Sequence, residues 1–200
     1  MRKLFTLTSI LSVMTIVLTG CGTTSVPSQP EGQTLTSNAA GCETDTTKTS
    51  TGAVEITDDF GRTVHLDGPA QRVAVLEWQQ IEDVLTLCIT PVAVADTQGF
   101  STWVTAETLP AGVVDVGTRQ EPNLDTLAST QPDLVIVEAT AADDPIIGKL
   151  EQYGIPVLAT IGADSNDPIA KMLSTFELIA KATGRAVSYT HLRAHETVLD

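Results

Sequence analysis

Residues Asp115 to Leu127 read DVGTRQEPNLDTL. The stretch closes a short apolar strand (Val113, Val114, Val116) and turns at Gly117. Pro122 then leads into a helical turn with Leu124 and Leu127 on one face. Between strand and helix stands one cation, Arg119. Open α/β sheets bind ligands in that kind of place, at the carboxyl end of a strand. A planar guanidinium suits carboxylate, hydroxamate or phosphate oxygens. The competing reading is a surface arginine in a rim ion pair.

The same alternation recurs on both sides of this stretch. Val73 to Leu76 is a continuous apolar strand, as a parallel sheet covered on both faces requires. Glu77, Trp78 and Gln79 follow at its carboxyl end. Ile81, Val84, Leu85 and Cys88 then fall at helical spacing, with Glu82 and Asp83 outward. Pro91 to Ala95 is the next strand, and Asp96 to Val104 a loop holding Phe100 and Trp103. Leu134 to Val137 is another buried strand. Pro145 to Tyr153 reads as a helix ended by Gly154, and Val157 to Thr160 as a strand. Asp167 and Pro168 supply the N-cap and first-turn proline of a long helix through Ile169, Leu173, Phe176, Ile179 and Ala180. Upstream, Val54 to Ile56 and Thr63 to Leu66 alternate as a hairpin around Asp58 to Gly61. His65 lies in its second strand with no His or Cys nearby, which makes it a strand residue and not a metal ligand. The predicted fold class is α/β with a parallel sheet.

A chain of 200 residues that is 42% hydrophobic supports one such domain, or one domain and part of another. Its formal charge of −14 argues against nucleic acid, which demands a basic face. Arg2 and Lys3 precede an apolar run from Leu4 to Val17, which ends in Leu18, Thr19, Gly20 and Cys21. Residues 1–20 therefore read as an export signal, and the small residues before Cys21 resemble a bacterial lipobox whose thiol accepts lipid. The competing reading is an uncleaved membrane anchor, for which the apolar run is short. Residues 21–52 are rich in Thr, Ser, Gly and Pro and read as a flexible tether. Cys42 stands inside it. With Cys21 acylated, Cys88 is the remaining partner within the chain; a pair and two free thiols both stand, since sequence gives no distance.

Three segments carry a resemblance: RVAVLEWQQIEDVLTLCITPVAVAD, FSTWVTAETLP and VVDVGTRQEPNLDTLASTQPDLVIV. Together they resemble the amino-terminal lobe of an iron–siderophore binding protein of an ABC importer. The spacing from Trp103 through Leu109 and Pro110 to Arg119 and Glu121 to Leu124 is similar to the ferric-hydroxamate branch. The resemblance spans about Val54 to Ala186. It implies two α/β lobes joined by one long rigid helix, with a shallow cleft between them and little hinge motion. Residues 53–166 would be the first lobe and 167–186 the start of the connecting helix. The resemblance makes Arg119 the cleft cation and Trp103 its aromatic partner, with Glu77, Trp78 and Phe100 facing the same cleft. Asp125, and Glu121 beside it, fall where the family docks on its permease, with Asp standing where Glu is more usual. A second departure is at Val137, Glu138 and Ala139 to Ala142, where the hydroxamate branch can carry aromatics. The ligand so implied is a ferric siderophore that fills every position of its own iron. The protein then supplies a cation and apolar rings, no metal ligands and no cofactor. The product would be a monomer on the outer face of the bacterial cell membrane.

Other classes find less support. G-x-S-x-G, Walker and G-x-G-x-x-G patterns are absent from the sequence. An exported enzyme would have to use Glu77 or Asp96 with no visible partner. Haem, cobalamin and ferric citrate binders share the implied fold, and a structural surface lipoprotein would leave Trp103 and Arg119 unexplained. Residues 187–200 begin VSYTHLRAHET, which resembles the in-frame translation of a sequencing-library transposon adapter. His191 and His195 have the spacing of a helical metal pair, but they belong to that stretch and read as non-native. On this reading the native sequence stops near Ala186, inside the connecting helix.

Overall fold

A hairpin leads into the fold, and one carboxylate fixes its turn. β1 (Val54–Thr57) and β2 (Thr63–Leu66) pair antiparallel. Asp58, almost wholly buried, accepts the backbone N–H groups of Phe60 and Arg62 at 3.0 and 2.9 Å. Its other oxygen meets the Arg62 guanidinium at 3.1 Å. The computed structural model describes Cys42 and residues 50–186. The expected signal segment, Cys21, most of the tether and the tail from residue 187 lie outside the described residues.

The remaining elements alternate. β3 (Val73–Val75) leads to α1 (Trp78–Thr86), β4 (Ala93–Val94) to α2 (Thr97–Trp103), and β5 (Val114–Asp115) to α3 (Leu124–Ser129). β6 (Leu134–Glu138) leads to α4 (Pro145–Gln152), and β7 (Val157–Thr160) to α5 (Pro168–Ala182). The five strands form one parallel sheet in the order β5-β4-β3-β6-β7. The chain builds outward from β3 to the β5 edge, then returns to place β6 on the other side of β3. The switch point of the sheet is therefore the β3–β6 boundary.

Alternate residues feed two cores, which is why the strands read as unbroken apolar runs. Val73, Val75, Leu134, Ile136 and Leu158 pack with Ile81, Val84 and Leu85 of α1 and Ile179 and Ala180 of α5. Ala74, Leu76, Val135, Val137 and Val157 pack on the other side with Leu127 of α3 and Ile147 and Leu150 of α4. The hairpin closes the first core through Ile56, Val64 and Leu66, and Lys171 of α5 pairs with Asp59 in its turn.

Three expectations are corrected here. The segment after β4 is a helix and not a loop: Asp96 caps α2 by accepting the Gly99 N–H at 3.0 Å. Phe100, expected at the cleft, is fully buried in the first core and offers no surface to a ligand. It is the side chain by which the short α2 is held to the sheet. Asp83 is also not outward. Its Oδ2 is buried with no hydrogen-bond partner among the described residues, and burial with Glu82 nearby pushes its carboxyl up to about 8. α1 packs against β3 and α5. On a further side, Thr86 donates to the buried Glu107 at 3.0 Å. A helix covered on several sides has little outward face left.

Candidate functional site

The carboxyl edge of the sheet gathers the charged residues, and Glu77 organises them. It is the N-cap of α1, in extended backbone, and its Oε1 accepts the Trp78 N–H at 2.8 Å. The same oxygen accepts from Arg119 Nη1 at 2.6 Å. The Arg119 guanidinium carbon lies 3.9 Å from the centre of the Trp78 ring, a cation–π stack. The arginine is thus gripped by a carboxylate and an indole, with about a quarter of its side chain still exposed (28%). Nη1 to Glu77 is its one hydrogen bond among the described residues, so most of its donor fork is left for an incoming acceptor.

The loop that carries Arg119 is itself held. Gly117 turns it with φ of 95°, a left-handed conformation that a side chain would strain. The Gly117 N–H donates to Asp115 at 2.7 Å, its carbonyl accepts from Asp96 at 2.7 Å, and Asn123 N–H donates to Val116 at 2.6 Å. Gly117 also bridges to Pro122 across the loop. Such a frame fixes the arginine before any ligand arrives.

Trp78 supports the arginine more than it awaits a ligand. It is half-buried against the first core, and a methyl group at Gly99 would collide with its ring. Trp103, at the end of α2, is 73% exposed and has the free apolar face that Trp78 lacks. The structure therefore puts Glu77, Trp78 and Arg119 in direct contact and Trp103 at the far end of α2, the helix that follows β4.

Glu138 was not expected in the site. It closes β6 as Glu77 follows β3, and the pairing of Val75 with Ile136 brings the two to the same level. The ladder continues past β3, because Leu76 N–H donates to Ile136 at 3.0 Å. Burial and the Glu77 charge push the Glu138 carboxyl upward, and Arg119 opposes them. Its signal in the sequence was a single acid ending an apolar run, as Glu77 does.

The other named residues have separate places. Asp96, the second acid of an enzyme reading, is committed to capping α2. Asp125 is exposed in the first turn of α3 and accepts from the Tyr153 hydroxyl at 2.7 Å; Glu121 is exposed on the loop before it. The sulfurs of Cys42 and Cys88 are bonded at 2.05 Å. His65 pairs with Glu55 on the exposed face of the hairpin. Among the described residues no group of three or more His, Cys, Asp or Glu is placed to hold a metal ion.

Comparison with known proteins gives this arrangement a setting. A model described as periplasmic binding protein matches residues 73–195, a stretch that extends past Ala186. YhfQ of Bacillus subtilis (strain 168), named as an ABC transporter substrate-binding lipoprotein, is 35% identical over 150 residues, 73% of this chain and 45% of that protein. The iron(3+)-hydroxamate-binding protein FhuD of Escherichia coli (strain K12) is 40% identical over 74 residues, 37% of this chain and 25% of that one. The crystal structure of the Fe3+–Desferal-bound siderophore binding protein FhuD from Vibrio cholerae aligns with a TM-score of 0.55 at 29% identity, covering 60% of this chain and 45% of that chain. The chain spans less than half the length of each of these three.

Proposed function

Because the chain belongs to the periplasmic binding protein family, we propose that it captures a ferric siderophore, of hydroxamate type, and delivers it to an ABC import permease. The observation that carries this reading is Arg119, stacked on Trp78, tied to Glu77 by one hydrogen bond, and placed at the carboxyl edge of the sheet. A hydroxamate complex presents iron-bound oxygens on an otherwise apolar shell. The guanidinium fork would receive those oxygens, and Trp103 would cover the apolar part. The siderophore keeps its iron, so no protein ligand to the metal is required. On this reading Cys21 carries lipid, and the protein works tethered outside the cytoplasm.

In the intact protein, Arg119→Ala is expected to weaken binding of a ferric hydroxamate by roughly ten- to a hundredfold. That corresponds to one charge-assisted hydrogen bond of about 1.5–3 kcal/mol. Arg119→Lys should recover little, since an ammonium can neither fork across two oxygens nor stack as a plane on Trp78. Tryptophan quenching titrations measure both. Affinities within about threefold of the parent in both variants would return Arg119 to an ordinary surface ion pair.

Docking and capture should separate. Asp125 lies on the polar side of α3, its carboxylate presented beside the Tyr153 hydroxyl. Asp125→Lys is expected to cut cellular uptake severalfold while affinity in solution holds. A parallel fall in affinity would move Asp125 out of the permease surface and into the ligand site.

A further inference from the structure

The site holds more negative charge than Arg119 balances. Glu77 and Glu138 end adjacent parallel strands at the same level, flanking the switch point of the sheet. Strand ends in such register lie about 5 Å apart, and like charges placed side by side repel. The one cation described beside them, Arg119, makes its hydrogen bond to Glu77. Glu138 makes no described hydrogen bond or ion pair of its own. Its carboxylate rests against Gly162, where a methyl group would overlap it. Glycine at 162 thus leaves a seat for this carboxylate at the rim of the site. Glu138 stands exposed at the strand's end beside a second acid, and a cationic group arriving there would relieve their repulsion.

Resting on the reading of the site given above, we propose that Glu138 is a specificity-determining residue that selects ferric hydroxamates carrying a free ammonium group. The ferric oxygens face Arg119, and the ammonium of the same ligand meets Glu138. A ligand of that kind restores charge balance with one group on each side of the switch point. A polyanionic ferric complex would bring further negative charge against Glu138 and gain nothing there. The Glu138 carboxyl is raised by burial first and by the Glu77 charge second, against the opposing pull of Arg119, which agrees with a second acid at this strand end.

The test uses the intact protein and two probes with identical iron coordination: a linear ferric trihydroxamate with one free primary amine, and the same complex with that amine acetylated. Calorimetry at pH 7 gives the ratio of their affinities, which is the readout. The amine form should bind about tenfold tighter to the parent, the yield of one charge-assisted contact at a partly exposed site. In Glu138→Gln the ratio should fall to near one. Gly162→Ala, which crowds the carboxylate without removing it, should lower the ratio in the same direction. A ratio near one in the parent, with both probes bound, overturns the role of Glu138 and leaves the siderophore reading intact. A parent ratio of ten that survives Glu138→Gln also overturns it. Failure of the parent to bind either probe overturns the siderophore reading and this inference together.

Discussion

Asp83→Asn is expected to stabilise the protein by about 2–4 kcal/mol at pH 8 and to leave its stability nearly unchanged at pH 4. Asp83 sits in the middle of α1 with one carboxylate oxygen buried and unpartnered among the described residues. Burial, with the neighbouring Glu82 charge, raises its carboxyl from 3.8 to about 8. In the unfolded chain the group loses its proton near the ordinary value; in the folded protein it keeps it until about pH 8. Between those limits the unfolded state binds fewer protons, so stability falls as pH rises, and it levels off above pH 8. A gap of about four pH units would amount to about 5 kcal/mol undiminished. Relaxation of α1 and entry of water reduce that figure. Glu82, raised by burial and by Glu107, slopes the same way. Asparagine has the shape of the protonated acid and cannot ionise. Urea unfolding at pH 4, 6 and 8 should show a falling midpoint for the parent and a flatter one for Asp83→Asn. Parallel curves would mean that Asp83 ionises freely in the fold.

That prediction turns on a feature the sequence misread. The spacing of Ile81, Val84 and Leu85 locates the face of α1 that meets the sheet, and the structure agrees. The same spacing says nothing about what covers the other sides. Glu107, through Thr86, and α5 both meet α1 from elsewhere in the chain, which local periodicity cannot record. The central strands were legible for the opposite reason. Val73 to Leu76 and Leu134 to Val137 are covered on both faces, so every residue is apolar. Phe100 and Trp103 mark the limit of pattern. Read as loop residues they have no faces, and both looked available; in α2 the first is sealed in the core and the second is open. Arg119 was legible from its place between strand and helix. Its partners were not, since its contact with Glu77 joins residues 42 apart in sequence. Glu138 escaped because only the pairing of β6 with β3 brings it level with Glu77, 61 residues earlier in the sequence.

Breaking the Cys42–Cys88 bond is the second large change expected, and the two cysteines should not be equivalent. The bond joins residues 46 apart and ties the segment before β1 to the end of α1. Closing a loop of that length in the unfolded chain corresponds to about 4 kcal/mol on chain-entropy grounds, and measured losses run to about 2–4 kcal/mol. Cys88 bears a second load. Its N–H donates to Leu85 and the next N–H, of Ile89, to Val84, both at 2.9 Å, which closes α1 in a Schellman arrangement. In that arrangement Cys88 takes the left-handed conformation with φ of 61°, where glycine is usual and another side chain costs about 1–2 kcal/mol. Cys42→Ser loses the cross-link and keeps the strain. Cys88→Gly loses the cross-link and relieves it. Chemical unfolding without reductant should therefore rank the parent first, Cys88→Gly next and Cys42→Ser last, with about 1 kcal/mol between the two variants. Adding reductant should bring the parent down to the level of Cys42→Ser and leave both variants where they were. Equal losses in the two variants would show that the helix end, and not only the bond, holds Cys88 at ease in its conformation. A parent indifferent to reductant would show that the cross-link adds nothing to stability. A bond of this kind persists where the compartment is oxidising.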